Sequence, residues 1–257
     1  MGAILCVAPS CVFDSARRPL VDVDLTAASA YVFRGQTFTE RPVGQLETLV
    51  QLGTRDGGAV SVGGFGNMDL AGSIGDAWAV AGHSGEFTQL DVWAGYARRV
   101  GDLDVALGLR HYSWPAGEGF RFAPFPATSE VFARVGGAAL GCDASLTAHY
   151  DVDATRSLYV RGALERAFTL RRDLTLEAGL WLGWGDADHG EWLYRTRATG
   201  LTDAGAAVNL RLDLDDVTSA RLGVAASTIV DSDLRDWFAP RIDPDVTWAT
   251  AGVSWAF

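Results

Sequence analysis

The sequence predicts an all-β fold: a transmembrane antiparallel up-and-down β-barrel of about twelve strands, with short periplasmic turns and longer extracellular loops. Three observations predict it. Apolar residues recur at every second position through twelve segments, connectors alternate between short and long, and the chain ends on an amphipathic strand closed by an aromatic residue. Successive side chains of a strand point to opposite faces, so a strand with unlike faces writes a period of two into its sequence. In hydrocarbon every backbone N–H and C=O must find a partner within the protein, which only helices and closed barrels provide. The chain has no apolar run of the roughly 18 residues that a spanning helix needs, so a membrane-spanning form is a barrel.

The chain opens Met-Gly-Ala-Ile-Leu-Cys-Val-Ala, and residues 1–20 read as the remnant of a signal peptide or a flexible N-terminus, with the barrel over 21–257. The first strand is expected over 21–35, with Val21, Val23, Leu25, Ala27, Ser29, Tyr31 and Phe33 on one face and Asp22, Asp24, Thr26, Ala28, Ala30, Val32 and Arg34 on the other. Strands over 44–53 and 58–69 follow. The segment 86–100 sets Leu90, Val92, Ala94 and Tyr96 against Asp91, Trp93, Gly95 and Ala97, and 102–114 sets Leu103, Val105, Leu107 and Leu109 against Asp104, Ala106, Gly108 and Arg110. Strands are expected next over 128–137, 142–152 and 156–167. In 173–185 the leucines and Trp184 oppose Thr175, Glu177, Gly179, Trp181 and Gly183, and in 201–214 Val208, Leu210 and Leu212 oppose Ala207, Asn209, Arg211 and Asp213. The segments 218–230 and 246–257 complete an even number, as single-chain bacterial barrels have.

Links after the even-numbered segments are short (54–57, 101, 138–141, 168–172, 215–217), whereas those at 71–85, 115–127, 186–200 and 231–245 are long. The link after the first segment is intermediate and that after the seventh is short, the one exception. This asymmetry places both termini on the periplasmic side, and a soluble β-sandwich gives no reason for it. A sandwich would also carry charge on its outer face, whereas here one face of twelve strands is almost free of charge. Phe257, Trp255, Val253, Ala251 and Ala249 share a face, as in terminal strands recognised by the barrel-assembly machinery. Tyr31, Phe33, Tyr96, Trp184, Trp248, Trp255 and Phe257 fall near expected strand ends, where interfacial aromatic girdles sit.

Composition narrows the function. With 21 bases, all arginine, against 32 acids the net charge is −11, which argues against a nucleic-acid partner. Cys6 and Cys11 lie in the leader and leave Cys142 alone, so neither a disulfide framework nor a CxxC metal site is supported. No phosphate loop, dinucleotide fingerprint or HExxH motif occurs, and no cofactor or metal is expected.

The segment Ser29-Ala30-Tyr31-Val32-Phe33-Arg34-Gly35-Gln36-Thr37 resembles the N-terminal motif of the Gcw_chp-type conserved hypothetical bacterial proteins. Two further segments are similar: Leu90-Asp91-Val92-Trp93-Ala94-Gly95-Tyr96, and Tyr112-Ser113-Trp114-Pro115 with Glu130-Val131. The likeness covers about the first half of the chain, and Gln36-Thr37-Phe38 departs from the usual continuation. It implies an outer-membrane barrel of unassigned role and supplies no catalytic residues.

The polar face is the expected lumen. It receives Asp22, Asp24, Glu47, Asp91, Asp104, Glu130, Glu165, Glu177 and Asp213, with Arg34, Arg110, Arg134, Arg161, Arg211 and Arg221. Such charges must be hydrated or paired. They either lock the barrel as a salt-bridge network or line a narrow pathway for small polar or charged solutes, constricted by Trp93, Phe132, Tyr159 and Trp181. The expected partners are outer-membrane lipid and lipopolysaccharide, the assembly machinery and an unspecified small solute. Two other readings stand beside the channel. One is a lipid- or lipopolysaccharide-modifying hydrolase centred on His111 and Ser113, which share a face, with His149 instead serving as a lumen hydrogen-bonder beside Thr147 and Asp151. The other is a structural or ion-binding surface barrel using loop acids: Asp231, Asp233, Asp236, Asp243 and Asp245, with Asp186, Asp188 and Glu191.

Overall fold

In the computed structural model twelve antiparallel strands close into a barrel. The structure describes residues 19–71, 84–115, 126–238 and 243–257. The expected leader, with Cys6 and Cys11, lies outside the described residues up to position 18, as do the middles of the expected loops 71–85 and 115–127 and part of 231–245.

The wall consists of β1 (Leu20–Ala28), β4 (Val43–Gly53), β5 (Gly58–Asp69), β6 (Phe87–Val100), β7 (Leu103–Ser113), β8 (Thr128–Ala139), β9 (Cys142–Asp151), β10 (Leu158–Arg171), β11 (Leu174–Gly185), β12 (Gly200–Asp213), β13 (Thr218–Ile229) and β14 (Asp245–Ala256). Each strand pairs with its sequence neighbours in the wall, and β1 closes the ring on β14, with Thr26 opposite Gly252. Closure leaves no unpaired edge, the condition the bilayer imposes on a β structure. Two further strands, β2 (Tyr31–Phe33) and β3 (Gln36–Thr39), form a separate two-stranded sheet between β1 and β4. Two short helices lie in outer connections: α1 (Ala187–Tyr194), capped by the Asp186 carboxylate on the His189 N–H, and α2 (Ser232–Phe238). No helix among the described residues is long and apolar enough to cross a membrane; the crossing elements are strands.

The period of two fixes which face of each strand points outward. Leu222, Val92, Leu107 and Leu180 point away from the lumen and are 64, 60, 58 and 58% exposed, members of an apolar outer surface that continues around the ring. A contiguous apolar surface of this extent needs an apolar partner, and lipid is the partner that matches its shape. Trp184, Trp255 and Phe257 are on this outer face. Inward glycines make room for large rings: a Cβ on Gly63 would lie 2.3 Å from the Trp93 ring, and one on Gly205 would lie 2.0 Å from the Trp181 ring. Each indole therefore lies flat against bare backbone of the neighbouring strand.

The first expected strand is corrected by the structure. The wall strand stops at Ala28, and residues 31–39 turn back as the β2–β3 hairpin into the lumen, every one of them buried. Tyr31 and Phe33 are thus not girdle residues; they are 1% and 3% exposed inside the barrel. Alternation is the same for a strand that continues and for one that reverses, so periodicity alone does not separate the two. The reversal is made by Arg34 and Gly35, with φ of 48° and 80°, a pair of left-handed residues that suits a two-residue hairpin turn. Trp248 is the second correction: it pairs across from Ala225 on the inward face and is 3% exposed, in the core cluster rather than the girdle.

Candidate functional site: a plugged lumen above an open vestibule

The lumen has two unlike halves. On the side of the long connections it is filled. The hairpin, the α1 residues Trp192, Leu193 and Tyr194, and the wall residues Phe65, Trp93, Tyr112, Trp114 and Trp248 form one buried cluster. The hairpin reaches across the ring. It leaves the wall at β1 and β4, yet the Arg34 guanidinium lies 4.5 Å from the ring centre of Tyr159 on β10, six strands from β4 in either direction. At its tip Arg34 Nη2 donates to Glu130 Oε2 of β8 at 2.6 Å and to the Tyr112 hydroxyl of β7 at 3.3 Å. The Tyr194 hydroxyl of α1 donates to the Arg34 carbonyl, and at its base the Tyr31 hydroxyl donates to Gln89 Oε1 of β6 at 2.5 Å.

Glu130 is the hub of this layer. Besides Arg34 it accepts from the Tyr112 hydroxyl at 2.9 Å, and His149 Nδ1 lies 3.3 Å from the same carboxylate oxygen. Beside it Arg110 Nη2 donates to Asp91 Oδ2 at 2.7 Å, and the Gln89 amide donates to both Asp91 oxygens at 3.0 and 2.9 Å. Arg110 also stacks over Trp93, 4.8 Å from its centre. These charges are out of water and matched by hydrogen bonds, which is what makes their burial tolerable. Asp203, 1% exposed, accepts from the Thr202 hydroxyl at 2.9 Å and the Tyr159 hydroxyl at 3.2 Å. The plug also holds polar atoms that make no hydrogen bond: both amide atoms of Gln36, Arg34 Nη1 and both ring nitrogens of His189, with Gln36 and His189 fully buried. Burial, reinforced by the Arg34 charge, holds the His189 imidazole well below its ordinary value, so it is neutral.

On the side of the short turns, where β1 begins and β14 ends, the lumen opens into a vestibule of about 1760 Å³. Its lining runs from Asp102 and Asp143 at the turns to Trp93, Phe132 and Trp181 under the plug, and includes Glu47, Arg134 and Glu165. Arg221 pairs with Asp24 at 2.9 Å, and Arg211 lies 3.4 Å from Glu177 and 3.2 Å from Asp213. Arg161 stacks on the Trp181 ring at 5.0 Å. Asp22 of β1 and Asp104 of β7 point into the same half of the lumen. The sequence-named lumen residues therefore separate by depth: Arg34, Asp91, Arg110, Glu130 and Tyr159 belong to the buried plug layer, Glu47, Arg134 and Glu165 line the vestibule, and Arg161, Glu177 and Arg211 lie outside its lining, Arg161 on the Trp181 ring and Arg211 beside Glu177. Phe132 and Trp181 lie between them as a floor.

Sequence reasoning did not single out Gln89, Tyr112, Asp203 or the hairpin. Strand parity places Gln89 with Asp91 and Tyr112 with Arg110, so that signal was present. His111 and Ser113 lie on the outer face and do not bond each other. His111 Nδ1 lies 3.0 Å from Ser129 Oγ on the next strand, and the Ser113 hydroxyl donates to the Leu90 carbonyl at 2.9 Å. The loop acids have local roles. Asp186 and Asp231 cap the two helices, Arg197 bridges Asp188 and Glu191, and Arg235 pairs with Asp245 at 2.8 Å. No group of three or more metal-ligating side chains gathers among the described residues.

Solved structures of outer-membrane barrels share this architecture. The COG4313 outer membrane channel from Pseudomonas putida F1 aligns over 94% of this chain and 96% of that one, with 12% identity and a TM-score of 0.58. The NanC porin aligns over 91% and 98%, with 12% identity and a TM-score of 0.52. LpxR from Salmonella typhimurium aligns over 93% and 100%, with 9% identity and a TM-score of 0.51. The chain has the fold of an outer-membrane β-barrel. Identities this low carry the fold and no residue roles. No protein-family model matches the chain, and no curated protein matches its sequence.

Proposed function

We propose that the protein is a narrow outer-membrane channel for small polar or charged solutes, of the Gcw_chp-type family its YVFRG segment resembles. The observation that carries this reading is the vestibule: inside a closed barrel with a lipid-compatible exterior, Arg134, Glu47 and Glu165 line open space and form no salt bridge among the described residues. A barrel built only to be filled has no use for acidic and basic side chains around an open space in its lumen, whereas a solute pathway does. The vestibule lies on the side of the short turns, which in such barrels face the periplasm, and the outer-facing Trp255 and Phe257 suit recognition by the assembly machinery. The test is conductance of the purified protein in planar bilayers, together with liposome swelling by sugars, amino acids and organic acids. Under the channel reading Arg134→Ala shifts ion selectivity toward cations and Glu177→Ala toward anions. A folded wild-type barrel that passes neither ions nor any solute, even with its plug removed, refutes it.

A hydrolase is the second reading, favoured only by the 3.0 Å contact of His111 and Ser129 on the outer face near the long-connection rim. Acyl transfer also needs an orienting group for the histidine and donors for an oxyanion. The strand N–H groups around this pair are engaged in the wall ladder. A phospholipase and deacylase assay on wild type and His111→Ala decides it; equal, background rates end the reading.

A further inference from the structure

We propose that the β2–β3 hairpin is the gate of the channel, latched in the closed position by the ion pair between Arg34 at its tip and Glu130 of the wall. The proposal rests on the channel reading above and assigns the part that opens it.

The hairpin has the geometry of a gate. It spans the lumen from its root at β1 and β4 to the opposite wall, and among the described residues it fills the lumen outward of the vestibule as part of one buried cluster. It is not a member of the wall: β2 and β3 pair only with each other, so the hairpin can leave without breaking a hydrogen bond of the barrel ladder. Both of its ends join the wall at the outer rim, through residues 29–30 and 40–42. Rotation about that edge carries the tip away from β8 and β10.

The tip carries an ion pair within a packed setting, with the Arg34 guanidinium over the Tyr159 and Tyr112 rings. Arg34 adopts φ of 48°, a conformation that side-chain-bearing residues other than Asn and Asp rarely adopt. The turn thus places an arginine at the tip and directs it at Glu130 at 2.6 Å, the one carboxylate it pairs with among the described residues. An ion pair suits the role because its attraction in the closed state is offset by rehydration of both charges when it opens, leaving a small gap between the states. The closed state is also imperfectly satisfied. The Gln36 amide beside the tip is fully buried without a hydrogen bond, as are Arg34 Nη1 and the His189 ring that faces Tyr159. Each of these groups gains partners once water reaches it. The hairpin body packs through Tyr31, Phe33 and Phe38 in the buried cluster, and at the tip charge-assisted contacts of one arginine add to that packing.

The experiment is single-channel recording in planar bilayers on wild type, Glu130→Gln, Arg34→Ala and a deletion that replaces residues 30–41 with a short Gly-Ser link. Heat-modifiable gel mobility establishes that each variant is a folded barrel. The latch variants are expected to raise open probability roughly ten- to hundredfold, the loss of one charge-assisted hydrogen bond, and the deletion is expected to stay open. Wild type and all three variants conducting alike overturns the gate and leaves the channel standing. Folded barrels that are all silent, the deletion included, overturn the channel reading and the gate with it. If Arg34→Ala does not fold, Glu130→Gln and the deletion still decide between these outcomes.

Discussion

Replacing Arg110 with alanine tests the account of the buried layer most directly, because Arg110 and its partner both belong to the wall and neither can swing into water. Arg110 and Asp91 face each other across β6 and β7 at 2.7 Å, with side chains 9% and 0% exposed. Arg110→Ala leaves the Asp91 carboxylate in place with the Gln89 amide as its remaining donor among the described residues. Removing one member of a buried ion pair costs about 3–5 kcal/mol, and loss of the desolvated stack on Trp93 adds about 2 kcal/mol. The double replacement Asp91→Leu with Arg110→Met removes both charges and keeps the volume, so its expected cost is within about 1 kcal/mol of zero. The two variants together form a strong non-additivity. The assay is urea unfolding of the refolded barrel in lipid vesicles, followed by tryptophan fluorescence, with the midpoint and slope compared across the set. A cost below about 1 kcal/mol for Arg110→Ala means Asp91 finds water there, and the reasoning that the outer half of the lumen is sealed then fails.

Two further outcomes follow from other parts of the barrel. Leu222→Arg places a charge on the outer face of β13, where Leu222 is 64% exposed to the surroundings; near the bilayer midplane this costs about 2–4 kcal/mol in vesicle unfolding, and a neutral result would mean that this face does not meet lipid. In the 54–57 turn the Asp56 carboxylate accepts from the Thr54 and Tyr96 hydroxyls, which hold its pKa down to about 2. A carboxylate lowered on folding contributes stability that is complete above its unfolded value, about 4, and lost as pH falls toward 2. NMR titration of the Asp56 carboxyl should give a midpoint near 2, abolished toward the ordinary value in Tyr96→Phe.

How much of the barrel the sequence carries can be judged strand by strand. The expected segment 58–69 coincides with β5, and 86–100, 102–114 and 218–230 match β6, β7 and β13 to within a residue at each end. Lipid on one side and water or polar groups on the other impose opposite chemistry on alternate residues, and that contrast is written locally. The same parity places Asp91, Arg110, Glu130 and Arg161 inside without knowledge of any contact. It fails where the physical contrast fails. At residues 31–39 the hairpin is buried on every side, so its Tyr-Val-Phe and Gln-Thr-Phe alternation looks like one more lipid-facing strand. Trp248 sits at a strand end, where the lumen core and the membrane interface both accept an indole. The helix at 187–194 lies in a connection that reads from composition as an acidic loop, although Trp192, Leu193 and Tyr194 are buried in the plug.

By itself the sequence determined the wall: the number of strands, their register of faces, the side on which the turns lie and the sign of the charges inside. These are near-neighbour properties, set by a repeat of two residues and by the lengths of links. Only the tertiary structure decided whether the lumen is open, because that depends on which segment crosses the ring and on what meets it. Arg34 and Glu130 are 96 positions apart, and Arg34 and the Tyr194 hydroxyl 160. No local pattern encodes such a pairing; closure of the barrel brings the opposite walls within reach of one arginine, and this places the plug across the path.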